Sequence, residues 1–106
     1  MAEVKLEESW RTRLEPTFQT EWFQKLRAFL KEEMAAGATI YPPGPRIFAA
    51  LDSTPFDKVR AVVLGQDPYH NGNAVGLCFS VPCGSQINPS LRNIYTELNN
   101  EGFSPE

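Results

Sequence analysis

The chain has 106 residues, a formal net charge of −3 and two cysteines. This length allows one domain at most, and such a domain buries roughly 60 to 70% of its unfolded surface. No apolar run approaches the roughly 20 residues that span a bilayer, and the N-terminus MAEVKLEE is too acidic for a signal peptide. We therefore expect no membrane partner and a cytoplasmic protein. The charge by itself also argues against a nucleic-acid partner, because phosphate binding normally needs a basic face.

Two helices are predicted in the first third of the chain. Ser9 is the expected N-cap of a short helix over residues 10–14, which Pro16 ends. A stronger helix begins at residue 17 or 20 and ends at residue 36, with Gly37 as its C′ residue. Its apolar side chains recur at three- and four-residue spacing, which predicts that they face a core: Phe18, Trp22, Phe23, Leu26, Phe29, Leu30 and Met34.

The second half of the chain alternates apolar runs with loops. Pro45 suits the first turn of a short helix, residues 59–64 have the composition of a buried strand, and residues 77–81 form a second short apolar run. A last helix follows, with Asn88 or Ser90 as its cap. A strand with apolar residues on both faces belongs inside a parallel sheet, yet two strands make only a marginal one. The pattern therefore predicts an incomplete α/β fold.

Residues 65–72 are the most informative stretch, because chemically capable side chains follow the predicted strand directly. Pro68 fixes its own φ and favours an extended Asp67. This carboxylate would then lie at the C-terminal end of a strand, where open α/β sheets bind ligands. The same residues also fit a simple polar turn. The lone histidine, His70, also fits an ordinary surface residue, and Cys78 is expected to be a buried, inert thiol within its apolar run.

Three motifs carry a resemblance to a known family: GQDPYH at 65–70, GLCFSV at 76–81 and PSLRNIY at 89–95. With the TIYPP motif at 39–43, they resemble, in the same order, the first half of a family 1 uracil-DNA glycosylase. The resemblance implies a doubly wound three-layer α/β domain with a central parallel four-stranded sheet flanked by helices. Residues 1–106 would be the N-terminal portion of that single domain.

The resemblance also implies an activity and the residues that perform it. Family members excise uracil from single- or double-stranded DNA by hydrolysing the N-glycosidic bond, which starts base-excision repair, and they need no metal or other cofactor. Asp67 is similar to the carboxylate that activates water and stabilises the sugar cation. The uracil pocket would be formed by Gln66 and Asp67, by Tyr69, which excludes the methyl group of thymine, and by the stacking ring of Phe79.

Two further residues resemble groups that contact the DNA backbone, namely His70 and Ser90. His70 is the single histidine, so the family's second histidine, which stabilises the departing uracil, has no counterpart here. We therefore expect that a complementing C-terminal segment is required for activity, in a monomer located in the cytoplasm, or in the nucleus or an organelle of a eukaryote.

Two other interpretations stay open. The chain fits a truncated, non-catalytic paralogue that acts as a binding or interaction module. A metal hydrolase that uses Asp67 and His70 is disfavoured, because two ligands do not make a metal site.

Overall fold

The computed structural model describes residues 4–104, and regular structure in this range consists of helices. Four α-helices span Glu8–Phe18 (α1), Glu21–Ala35 (α2), Ala49–Ser53 (α3) and Pro89–Asn100 (α4). Single 3₁₀ turns precede and follow α3, at Gly44–Arg46 and Phe56–Lys58. Within residues 4–104, no helix is long and apolar enough to cross a membrane.

The predicted α/β fold, a doubly wound domain with a central parallel four-stranded sheet, is wrong for residues 4–104, which contain no strand. Residues 59–64 have no regular hydrogen-bonded structure, and Val62, Val63 and Leu64 are 79%, 69% and 93% exposed. A strand exists only when a neighbouring strand pairs with its N–H and C=O groups, and no such neighbour lies in this range. Residues 77–81 form turns instead of a second strand.

Helix α1 begins at a different cap and runs further than predicted. The carboxylate of Glu7, not Ser9, caps it by accepting hydrogen bonds from the Ser9 hydroxyl and from the Ser9 N–H at 3.0 Å, and these bonds lower the pKa of Glu7. Pro16 lies inside the helix rather than ending it. One more turn brings Phe18 into contact with the Phe23 ring, 4.8 Å away, and leaves Phe18 only 5% exposed. Burial of this ring offsets the backbone hydrogen bond that Pro16 cannot donate.

Trp10 fastens α1 to the turn that follows α3. Its indole Nε1 donates a hydrogen bond to the carbonyl of Thr54 at 2.7 Å, and its ring meets Phe56 edge-on at 5.1 Å. The guanidinium of Arg13 lies 3.9 Å from the centre of the Phe56 ring and 3.6 Å from the Asp57 carboxylate. This aromatic and polar contact joins the N-terminal helix to the middle of the chain.

Helix α2 forms as predicted, but its apolar face is not buried. It contains no buried residue, so the prediction that its aromatic side chains face a core is wrong for this helix. The most exposed large apolar side chains of α2 are Trp22 at 60%, Met34 at 54%, Phe29 at 53% and Leu26 at 46%. Periodicity identifies the face that suits burial, whereas burial requires a second surface, which residues 4–104 do not provide.

The buried core of residues 4–104 is small. It consists of Phe18, Pro42, Ala49, Ala74 and Leu91. Leu91 belongs to the first turn of α4, where Asn88 is the cap and its side-chain oxygen accepts a hydrogen bond from the Leu91 N–H at 2.9 Å. Of the two predicted caps, Asn88 is therefore correct, and the Ser90 hydroxyl is not needed for capping.

Two leucine substitutions test this distribution of burial. Leu91→Ala should lower the free energy of unfolding by about 2 to 5 kcal/mol, because it removes a buried side chain and leaves a cavity. Leu64→Ala should change it by less than about 0.5 kcal/mol, because Leu64 is exposed. Urea unfolding followed by circular dichroism measures both. A loss for Leu64→Ala as large as that for Leu91→Ala would show that residues 59–64 are buried.

Candidate functional site

A cavity of about 580 Å³ opens between loop 65–69, loop 74–79 and the start of α4. Among the residues that line it are five of the six predicted site residues: Gln66, Asp67, Tyr69, Phe79 and Ser90. The sixth, His70, is exposed and is not part of the lining. Three separate motifs of the sequence thus meet at one cavity.

A hydrogen bond joins Tyr69 and Phe79, the two aromatic residues of the described cavity lining. The hydroxyl of Tyr69 donates to the backbone carbonyl of Phe79 at 2.9 Å. Phe79 has a φ of 65°, a left-handed conformation that residues with side chains seldom adopt and that costs of order 1 to 3 kcal/mol. The bond from Tyr69 therefore acts at a strained position and holds the Tyr69 side chain against the backbone of Phe79.

Asp67 is the one charged side chain among the described lining residues. It is exposed, and its carboxylate accepts a hydrogen bond from the side-chain amide of Gln66 at 3.2 Å. A carboxylate that is accessible to water at the edge of a cavity can orient or deprotonate a water molecule and can stabilise a developing positive charge. Within residues 4–104, no three His, Cys, Asp or Glu side chains are grouped so that they could hold a metal ion.

Gly76 allows loop 74–79 to approach the turn before α3. Its φ is +83°, and a Cβ atom there would lie 1.9 Å from the carbonyl oxygen of Arg46 and 2.8 Å from the Cβ of Ala49. The neighbouring Val75 carbonyl accepts a hydrogen bond from Nε of Arg46 at 2.9 Å. Only a glycine fits this close backbone contact, which holds one side of the cavity in place.

Sequence reasoning misplaced one residue of the cavity and missed others. Cys78 is exposed and lines the cavity, so its predicted burial is wrong, because residues 77–81 form turns rather than a buried strand. Pro42 and Ile47 also line the cavity, although no role was predicted for either. The TIYPP motif, which contains Pro42, was the sequence feature that could have placed Pro42 at the site.

No family model matches the chain, but curated relatives do. It is 58% identical over 96 residues to a uracil-DNA glycosylase of Pseudomonas fluorescens strain Pf-5, and 50% identical over 101 residues to one of Xanthomonas oryzae pv. oryzae. The chain is homologous to uracil-DNA glycosylases. These matches cover 90% and 94% of the chain, which spans 42% of the length of each relative. The resemblance predicted from the motifs is therefore confirmed, for part of the length of such a glycosylase.

Two glycine substitutions test the contact that shapes the cavity. Gly76→Ala should lower the free energy of unfolding by about 1 to 2 kcal/mol for the left-handed backbone and by about 1 to 3 kcal/mol more for the clash with Arg46. Gly84→Ala is the matched control, because Gly84 has a φ of +82° and nothing within 4 Å of an added Cβ. The Gly84→Ala variant should lower the free energy of unfolding only by the cost of the left-handed backbone. Equal losses for the two variants in urea unfolding would mean that the close approach at Gly76 is not formed.

Proposed function

We propose that this chain supplies part of the active site of a uracil-DNA glycosylase, which hydrolyses the N-glycosidic bond of deoxyuridine in DNA and so initiates base-excision repair. The observation that carries this proposal is the meeting of five motif residues at one cavity, in a chain 58% identical to a protein of that name. The substrate would be uracil-containing DNA, single- or double-stranded. We propose no cofactor.

Asp67 performs the chemical step in this proposal. The bond between the sugar C1′ and N1 of uracil breaks, and its electron pair leaves with the base. The exposed carboxylate stabilises the positive charge that develops on the sugar. It also accepts a proton from the water molecule that adds to C1′. The uracil anion takes up a proton from solvent and Asp67 releases the one it accepted, so the products are free uracil and an abasic site.

The aromatic walls select the base. Glycosylases extrude their target nucleotide from the helix and read it in a pocket. Phe79 stacks on the extruded ring, and the loop around Gln66 and Asp67 reads its edge. Tyr69 closes the space beside C5, so that the methyl group of thymine clashes, which is discrimination by steric exclusion. The bond from the Tyr69 hydroxyl to the Phe79 carbonyl supports this role, because it holds the Tyr69 side chain beside the residue proposed to stack on the base.

Two polar residues serve the DNA backbone. Ser90 lines the cavity, and because Asn88 caps α4, the Ser90 hydroxyl can donate to a phosphate oxygen. His70 is exposed outside the lining, a position that suits contact with the strand rather than with the extruded base. Such contacts fix the register of the strand and carry no sequence information.

Turnover requires, in this proposal, a complementing C-terminal segment. Support comes from the length of the relatives, of which this chain spans 42%, and from the exposed apolar residues of segment 59–64. The leaving uracil carries negative charge, and the described lining contains no cationic group that would stabilise it. The cytoplasmic location and the monomeric state stay predictions from the sequence.

Release of uracil from a single-stranded oligonucleotide in EDTA tests the proposal. We expect none from the isolated chain and clear release when the chain is joined to the rest of the Pseudomonas fluorescens relative. In that fusion, Asp67→Asn should reduce the rate by about 100-fold or more, the usual size of a general acid or base contribution. Asp57→Asn is the control, because Asp57 is an exposed aspartate outside the cavity lining.

Three results would contradict the proposal. A fusion that releases uracil equally well with Asp67→Asn would remove Asp67 from the chemistry. A fusion that folds, binds DNA and releases no uracil would favour the binding module, while release that EDTA abolishes would indicate a metal hydrolase.

A further inference from the structure

The candidate cavity lacks a positive charge for a polyanionic substrate. The chain has a net charge of −3, and the charged group of the lining is the carboxylate of Asp67. DNA affinity depends mainly on neutralising phosphates with Lys or Arg side chains. A cation near the cavity is therefore needed to bring a phosphodiester strand to Asp67.

Arg46 places a guanidinium group at the edge of the cavity. Its Nε lies 2.9 Å from the carbonyl oxygen of Val75. Both Val75 and Ile47, the residue that follows Arg46, line the cavity. The backbone of Arg46 is held as well, because its N–H donates to the carbonyl of Pro43 at 2.7 Å and its own carbonyl packs against Gly76. The side chain and the backbone are thus both anchored.

The charge of Arg46 is not neutralised by any carboxylate of residues 4–104. Three other basic side chains in this range form ion pairs, with Arg11 2.6 Å from Glu8, Arg13 3.6 Å from Asp57 and Lys25 3.0 Å from Glu21. The bond to Val75 occupies Nε and leaves the Nη1 and Nη2 groups for a ligand. Their planar arrangement matches the two non-bridging oxygens of a phosphate. Because the side chain is already anchored, less conformational entropy is lost on binding.

We propose that Arg46 binds a phosphate of the DNA strand whose base enters the cavity. This inference rests on the proposed function, because it takes a nucleotide base to be the occupant of the cavity. Arg46 would bind and position the strand while Asp67 acts on the sugar. The ligand is recognised as a phosphodiester, so the contact does not depend on the identity of the neighbouring bases.

The salt dependence of DNA binding tests this contact. Fluorescence anisotropy with a labelled, single-stranded, uracil-containing oligonucleotide gives the affinity of the chain over a series of NaCl concentrations. Each phosphate contact contributes about 0.7 to the slope of log K against log salt for a single strand. Arg46→Gln should lower the magnitude of the slope by about that amount, and Arg46→Lys should keep most of it. Lys31→Gln, which removes the same charge from α2, should leave the slope unchanged.

A second measurement does not depend on variants. In the unmodified chain, the ¹⁵Nε resonance of Arg46 should shift as the same oligonucleotide is added. The corresponding resonance of Arg13, which is held over Phe56 and lines no part of the cavity, should not shift. This NMR measurement still tests the contact between Arg46 and phosphate if the Arg46→Gln variant fails to fold.

The failures can be told apart. Weaker binding by Arg46→Gln with an unchanged slope, or an Arg46 resonance that does not move, would mean that Arg46 only holds loop 74–79, and would overturn this inference alone. Absence of DNA binding by the unmodified chain at every salt concentration would overturn this inference together with the DNA contacts of the proposed function.

Discussion

The contact between Gly76 and the carbonyl of Arg46 is the constraint on which the cavity depends. A side chain at position 76 would lie 1.9 Å from that oxygen, so the approach exists only because the residue is glycine. The same approach brings the Val75 carbonyl within 2.9 Å of Nε of Arg46. Two distant parts of the chain are thereby joined, and loop 74–79 is held where Phe79 lines the cavity.

From this contact, the properties of the site follow in order. Loop 74–79 presents Phe79 in a left-handed conformation, and the Tyr69 hydroxyl donates a hydrogen bond to its carbonyl, so the Tyr69 side chain is held against the Phe79 backbone. Asp67, which lines the same cavity, is exposed and accepts a hydrogen bond from the Gln66 amide. In the proposed enzyme, the two aromatic side chains would hold a base and the carboxylate would face its sugar.

The structure contradicts the predicted fold, whereas the roles of the predicted site residues stay predictions. Asp67, Tyr69 and Phe79 line one cavity, which the spacing of the GQDPYH and GLCFSV motifs did not itself require. The strand at 59–64 failed because hydrophobicity reports suitability for burial, while pairing depends on a neighbour that residues 4–104 do not contain. The bond from Arg46 to Val75 was not predictable, since it joins residues 29 positions apart that carry no shared pattern.

A titration of the ¹⁵N-labelled chain with free uracil, followed by two-dimensional NMR, decides whether the cavity binds the base. We expect shifts concentrated in the amides of residues 65–69 and 74–79, and much smaller shifts with thymine at the same concentrations. Shifts that are absent from these loops, or that are equal for uracil and thymine, would contradict the assignment of the cavity and of Tyr69.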